Sequence, residues 1–424
     1  MTDLAPAPGL GPAPGLGPAP GLRQFIVKVA SRCNLNCSYC YVYNQADSTW
    51  QDRPARMSDG TFEATIERIR GHCSSSGLGD VEIIFHGGEP TLIGAQRFSS
   101  MCRKAGEGLA GVAQARFSIQ TNATRLSPAW ITALREHDVL VGVSLDGPKE
   151  VNDRYRVDRK GGGSHDRVAE GIALLRAGGV PFGILSVVAP GADPLAVHRH
   201  FVDLGCRSVS YLLPAIAREA ARELRRRHGP TPCADFLIPI FDDWWWSGTL
   251  ELSIREFWNI GRVIMGGTSE LDSIGNPPLP FITVETDGSI HGLDQLRTCE
   301  EGMTDTALSV HDADFRDLAL ASPLHAEVMA GLPLPSGCRA CPEASTCGGG
   351  YVPHRYSRER QFDNPSLWCA DLLALFAHIR MRMGVSHDET LRRRSALAVA
   401  HPGPGPGPRA QPLALQAASG DSSA

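Results

Sequence analysis

Three cysteines stand in the stretch Cys33-Asn-Leu-Asn-Cys37-Ser-Tyr-Cys40, a CxxxCxxC spacing that begins just past an apolar, strand-like run from Phe25 to Val29. A zinc site wants four closed ligands, or three and a water, and no fourth Cys or His lies close by in sequence. Three thiolates instead suit a [4Fe-4S] cluster with one iron left open, and an open metal position can hold a small chelating molecule. A second apolar run, Val81–Phe85, leads straight into His86-Gly87-Gly88-Glu89-Pro90. The glycines there let backbone approach a ligand closely, and Glu89 can accept from an ammonium group. A second cysteine set, Cys338-x2-Cys341-x5-Cys347 and then Cys369, lies in a Gly-rich setting (Gly348-Gly349-Gly350). It offers four ligands for one closed site, zinc or [4Fe-4S], between which spacing does not choose.

These residues must be positioned by a scaffold, and the periodicity supplies one. Strand-like runs at Phe25–Val29, Val81–Phe85, Arg116–Gln120, Val139–Ser144, Phe182–Val188 and Ser208–Leu213 alternate with helical stretches. One helix carries Phe62, Ile66, Ile69 and Cys73 on a single stripe. Two others open with Ser127-Pro128 and Asp193-Pro194, an N-cap followed by Pro at the first helical position. Such β/α units with right-handed crossovers imply an α/β fold: a parallel sheet curled into a partial (β/α)6 TIM-type barrel. Chemistry in such folds sits at the C-terminal ends of the strands, where the Cys33 loop and Glu89 both fall.

The chain has 424 residues, enough for two or three domains. Residues 1–22 repeat Pro-Ala-Pro-Gly-Leu-Gly and read as a disordered tail; 23–215 form the barrel; 216–279 are a helical linker containing Trp244-Trp245-Trp246, read as packing. Residues 280–385 hold the second cysteine set, and 386–424 lose periodicity and read as a disordered tail. With a net charge of −5 and dispersed basic residues, nothing marks a nucleic-acid footprint, and no apolar run reaches membrane-spanning length. Twelve cysteines in CxxC-like groups read as metal ligands in a reducing cytoplasm rather than a secreted disulfide scaffold. Cys73 and Cys102 sit on apolar helical stripes and read as core, while Cys206, Cys233 and Cys299 stay unassigned.

The Cys33 loop, with an aromatic before its last cysteine, followed by the Gly-Gly-Glu turn, resembles the radical S-adenosylmethionine (SAM) superfamily. That resemblance implies cleavage of SAM to a 5'-deoxyadenosyl radical, with an external one-electron donor of flavodoxin or ferredoxin type. It implies SAM contacts at Gly87, Gly88 and Glu89 for the amino group and near Tyr39 for the adenine. Asn122 and Ser144, together with Arg156, are expected at the ribose and the carboxylate, the latter matched by the forked donors of Arg. The later cysteines resemble the SPASM domain, a small α+β iron–sulfur unit with auxiliary clusters. A full SPASM domain has further cysteines where this chain has Tyr351 and Leu293. Two [4Fe-4S] clusters are therefore expected, on Cys33, Cys37 and Cys40 and on Cys338, Cys341, Cys347 and Cys369.

Two stretches resemble one subgroup more narrowly. They are Tyr41-Val-Tyr-Asn-Gln-Ala-Asp-Ser-Thr-Trp50 through Arg53-Pro54 and Met57-Ser58, and Tyr351-x2-His354-Arg355-Tyr356 through Phe362-Asp-Asn-Pro-Ser366. Both are similar to the Fxs-type, cyclophane-forming peptide maturases. These join an aromatic ring carbon to a residue β-carbon in a ribosomally made precursor peptide. On that resemblance Asp294 keeps the place of a proton-accepting carboxylate for rearomatisation. A thioether-forming or epimerising maturase is an alternative. A formylglycine-type sulfatase maturase is another, against which Leu293 and Tyr351 argue. A peptide-binding scaffold without chemistry is opposed by the intact Cys33, Cys37, Cys40 and Glu89.

Overall fold

A computed structural model describes residues 21–247 and 252–400. The expected tail at 1–22 falls almost wholly outside these residues, as does 401–424. Nine strands form one sheet in the order β7-β6-β5-β4-β3-β2-β1-β8-β9. Six of them are the runs read from the sequence: β1 (Gln24–Ala30), β2 (Asp80–Gly87), β3 (Gln114–Thr121), β4 (Leu140–Ser144), β5 (Phe182–Val187) and β6 (Ser208–Leu212). All six pair in parallel, so their C-terminal ends open on one side of the sheet, as a partial barrel requires.

β2 shows how the sheet divides its faces. Val81, Ile83 and Phe85 are fully buried, while Glu82, Ile84 and His86 between them are only partly so. Phe85 meets Phe98 of the helix Ala95–Leu109 at 4.7 Å and stacks on Phe62 of the helix Asp59–Ser76 at 6.4 Å. Those helices cover the outer face, and the alternate residues point inward. The helix Pro194–Asp203 is capped as expected, with Asp193 accepting from the Leu195 and Ala196 amides. Ser127 precedes the helix Pro128–Glu136 without a side-chain cap bond, leaving Pro128 as its start signal.

Three further short strands complete the sheet, two of them the arms of an Asp-Gly hairpin over Val284–Ile290 that the sequence announces. β7 (Ser253–Ile254) pairs with β6, and β8 (Phe281–Val284) extends the sheet beyond β1, in parallel with it. β9 (Ile290–His291) folds back antiparallel on β8 through Asp287-Gly288, with Gly288 at φ +92°. The segments read as a linker and as a separate SPASM-type unit thus each give strands to the barrel sheet. Trp244 is core, donating to Leu252 O at 2.9 Å, whereas Trp246 is exposed.

The expectation of disorder from residue 386 is corrected over its first part, because a helix runs His387–Ala400. Specific bonds hold it. Thr390 donates to Ile264 O at 2.7 Å, Arg394 to Ser345 O at 2.6 Å, and Arg380 Nη1 to Thr390 Oγ1 at 2.8 Å. Among the described residues no helix is long and apolar enough to cross a membrane.

Candidate active site

Cys33, Cys37 and Cys40 line a cavity of about 370 Å3 at the C-terminal ends of the strands. Their loop is pinned from another strand end. Asn36 N donates to Val157 O at 2.7 Å and Ser38 N to Tyr155 O at 3.0 Å, from the segment following the helix Lys149–Tyr155. Leu35 N and Asn122 Nδ2 point at Cys33 Sγ, at 3.3 Å and 3.8 Å. Burial pushes the Cys33 and Cys37 thiols up, to about 12 and about 11, and the thiols push each other further. Three crowded, free thiols with no fourth cysteine in the lining fit an iron–sulfur cluster with an open iron.

All ten residues assigned by resemblance to the first cluster and SAM line this one cavity. Gly87 sits at φ +132°, and a Cβ there would lie 2.1 Å from Ala30 O. At Gly88 a Cβ would meet Tyr43 Oη at 1.9 Å and Arg32 O at 2.5 Å. The strand end is thus laid against the Cys33 loop so closely that a side chain is excluded at both positions. Glu89 is buried and already held: Oε1 accepts from Thr91 N (3.0 Å), Thr91 Oγ1 (2.5 Å) and Thr121 Oγ1 (2.6 Å), and Oε2 from Asn122 N (2.7 Å). Burial raises its pKa, against those bonds, and Oε2 keeps acceptor capacity toward the cavity.

Several expected SAM contacts carry a prior engagement. Asn122 also donates to Asn34 Oδ1 at 3.0 Å, so its side chain steadies the cysteine loop. Ser144 accepts from Gln120 Nε2 at 2.8 Å. Tyr39 donates to Asp146, and its ring lies under the Arg156 guanidinium at 5.5 Å. Arg156 Nε is 3.0 Å from Asp146 Oδ2, and Asp146 Oδ1 accepts from Val187 N at 3.0 Å. Asp146 is the hub of this end and was not singled out by sequence. Its signal was its place beside Ser144 after β4.

Asp294 does not line the cavity. It sits behind it, with Tyr41, which does line the cavity, among its electrostatic neighbours. Lys28 Nζ donates to Asp294 Oδ2 at 2.7 Å and to Glu285 Oε1 at 2.8 Å. Arg297 donates to Asp294 Oδ1 at 2.5 Å, to Glu285 at 2.7 Å and to Asp47 at 3.1 Å. Arg53 adds a third cation, 2.7 Å from Glu285. Burial alone would raise the Asp294 carboxyl, but Arg297 and Lys28 hold it well below the usual range. Such a carboxylate is a weaker base than a free one. Glu285, His291 and Asp294 converge as a metal trio would, but Lys28 and Arg297 already neutralise them. A lone lysine in the apolar run of β1 was the overlooked signal for this network.

His86 also lines the cavity. Its Nδ1 accepts from Gly87 N at 2.8 Å, and burial, then Lys28, lower its pKa to about 4. It is neutral near pH 7, with Nε2 carrying the proton.

Cys338, Cys341, Cys347 and Cys369 converge on a second, smaller site. Cys369 opens the helix Cys369–Met383, set by buried Trp368, whose Nε1 donates to Pro214 O at 2.9 Å. Burial pushes Cys347 up to about 12, and the other three thiols add to it. Four free thiols crowded together fit a closed metal site. Leu293 is buried in the core, and Tyr351 lines the first cavity. Buried Cys73, Cys102, Cys206 and Cys233 lie in the hydrophobic core, and Cys299 packs against it.

Residues 27–201 match the family model described as Radical SAM superfamily. The chain is similar to the cysteine-type anaerobic sulfatase-maturating enzyme of Clostridium perfringens, 25% identical over 375 residues, 85% of this chain and 97% of that one. A serine-type anaerobic sulfatase-maturating enzyme of Bacteroides thetaiotaomicron is 26% identical over 392 residues, covering 86% and 90%. Among solved structures, native anSMEcpe with bound AdoMet superposes with a TM-score of 0.70 at 21% identity, over 85% of this chain and 98% of that one. Streptococcus suis SuiB bound to precursor peptide SuiA superposes with 0.52 at 13%, over 79% and 72%. The thiolate loop, the Gly-Gly-Glu turn and the parallel sheet therefore make up a radical SAM domain over residues 27–201 of a chain similar to the maturating enzymes.

Proposed function

We infer that this enzyme modifies a ribosomally made peptide, joining an aromatic ring carbon to a residue β-carbon in a cyclophane crosslink. Support for a peptide substrate comes from the sulfatase-maturating relatives and from the SuiB fold, solved with a precursor peptide. The observation that carries the crosslink reading is the make-up of the cavity wall beyond the thiolate loop. There Asp272, Tyr351 and His354 line the cavity, and Leu293 lies buried, where a second auxiliary cluster would need thiols.

Cys33, Cys37 and Cys40 would hold one [4Fe-4S] cluster, and Cys338, Cys341, Cys347 and Cys369 another, with SAM beside the first. When bound, this pair supplies one-electron cleavage of SAM and hydrogen-atom abstraction from the peptide. The chain's own part is positioning. Glu89 Oε2 and the Gly87-Gly88 backbone form an acceptor-rich edge for the SAM amino group, and Arg156, steadied by Asp146 and Tyr39, presents its remaining donors for a carboxylate. Tyr41 lines the cavity with Asp294 among its electrostatic neighbours, so Asp294 acts through the charge it sets beside that phenol.

A formylglycine-type sulfatase maturase is the second reading, favoured by the near-complete overlap with the Clostridium perfringens enzyme. Anaerobically reconstituted protein given dithionite and SAM should yield 5'-deoxyadenosine; none would sink both readings. The peptide encoded beside the gene, co-expressed and weighed by mass spectrometry, should lose two hydrogens per bond without reacting with a hydrazide. A hydrazide-reactive aldehyde would instead establish formylglycine.

A further inference from the structure

The charges around the cavity are almost all spoken for. Glu89 accepts from Thr91, Thr121 and Asn122, and Arg156 is paired with Asp146. Glu256 accepts from Ser210 Oγ at 2.5 Å and Tyr211 N at 2.9 Å. His86 is neutral near pH 7. The exception is Asp272, in the segment between the helix Arg255–Ile264 and β8. Among the described residues no side chain hydrogen-bonds its carboxylate and no cation lies within ion-pair distance; the amides of Asp272 and Ser273 are its contacts. Its electrostatic neighbours are Arg255, which is solvent-exposed, and Tyr351. None of the cluster cysteines, Glu89 or Arg156 is among them. Burial pushes its pKa up to about 6.

Asp272 is half-buried at the cavity wall, and a carboxylate so placed without an ion-pair partner gains when a cation arrives. Arg156, Lys28 and Arg297 beside the cavity are each neutralised by carboxylates, and exposed Arg255 lowers the Asp272 pKa without standing at ion-pair distance, so the carboxylate is left without a paired cation among the described residues. We propose that Asp272 pairs with a cationic side chain, Lys or Arg, of the substrate peptide and so selects which residue stands beside the reacting one. The inference rests on the peptide reading above and makes Asp272 a specificity-determining residue.

The test is a binding measurement on the anaerobic holoenzyme with SAM. The probes are fluorescein-labelled short peptides in which a single Lys is walked past a central Phe, with matched norleucine and Glu series. Fluorescence anisotropy should give at least one register where Lys binds roughly tenfold or more tighter than norleucine. Asp272→Asn should erase that difference, Asp272→Glu should keep part of it, and Asp272→Lys should turn the preference toward the Glu series. Equal binding of Lys and norleucine peptides, or a Lys preference that survives in Asp272→Asn, overturns the proposal. If peptides of no series bind, the peptide reading itself falls, and this inference with it. If the Lys preference holds but SAM yields no 5'-deoxyadenosine, the chemistry is misread and the recognition role stands.

Discussion

Lys28 Nζ and Asp294 Oδ2 meet at 2.7 Å with both side chains at or below 5% exposure, although one belongs to β1 and the other follows β9. The pair ties the barrel to the hairpin that extends it. Truncating Asp294 to Ala leaves Lys28 and Arg297 sharing Glu285 and Asp47, three buried cations against two carboxylates once Arg53 is counted. Breaking one side of a buried pair costs about 3–5 kcal/mol. Asp294→Ala should lose stability on that scale in urea, and pairing it with Lys28→Met should recover part of the loss. A drop under about 1 kcal/mol would show that the network is not what couples the two segments.

Glycine positions near the cysteine loop give a sharper contrast. Gly88→Ala puts a methyl into Tyr43 Oη and the Arg32 carbonyl, and backbone cannot yield as a side-chain tip can. It should abolish or greatly weaken SAM binding in anaerobic equilibrium dialysis. Gly71, inside the helix Asp59–Ser76, has nothing within 4 Å of the methyl group an alanine would add, so Gly71→Ala should stabilise by about 0.5–1 kcal/mol and leave SAM binding unchanged. Normal SAM affinity in Gly88→Ala would mean that the turn and the cysteine loop are not apposed as closely as this.

How much of this was legible depended on range. The six long strands and the cavity residues from Cys33 to Arg156 could be read because each is announced locally, by an apolar run or a motif at a strand end. β7, at two residues, carries no periodicity to read, whereas the β8–β9 turn is announced by Asp287-Gly288. Lys28 and Asp146 owe their roles to partners in other segments, Asp294 and Glu285 for one and Tyr39 and Arg156 for the other. The helix His387–Ala400 escaped because Thr390 and Arg394 anchor it by hydrogen bonds instead of an apolar stripe. The hold on Asp294 was not legible either, because Lys28 and Arg297 reach it from β1 and from the turn after β9.

Iron content separates the two thiol sets. Reconstituted protein should carry about eight irons per chain, four at each site. Replacing Cys33, Cys37 and Cys40 together by Ala should leave about four and abolish SAM cleavage, with the EPR signal of the remaining centre intact. About twelve irons in the wild type would require a third set of ligands around Tyr351 and Leu293, which the cavity wall does not offer.

Acid should weaken the fold through its buried histidines, and His291 isolates the effect. It is shielded beside Arg53, with Nε2 at 3.4 Å from Arg53 Nη2, and burial lowers its pKa from 6.5 to about 4 despite Glu285 nearby. Above about pH 6.5 it is neutral in both folded and unfolded chains. Between 6.5 and 4 the unfolded chain binds a proton that the folded one refuses, so stability falls as pH falls. From pH 7 to pH 5 that one group costs about 2 kcal/mol. Glu89 and Glu256, which burial raises, work in the opposite sense, so the wild type alone does not isolate the histidine. The measurable quantity is a difference: between pH 7 and pH 5 the wild type should lose about 2 kcal/mol more than His291→Gln in urea unfolding, since the amide does not titrate. Equal losses would mean that His291 is solvated enough to protonate in place, and that the cations around Glu285 repel it less than their spacing implies.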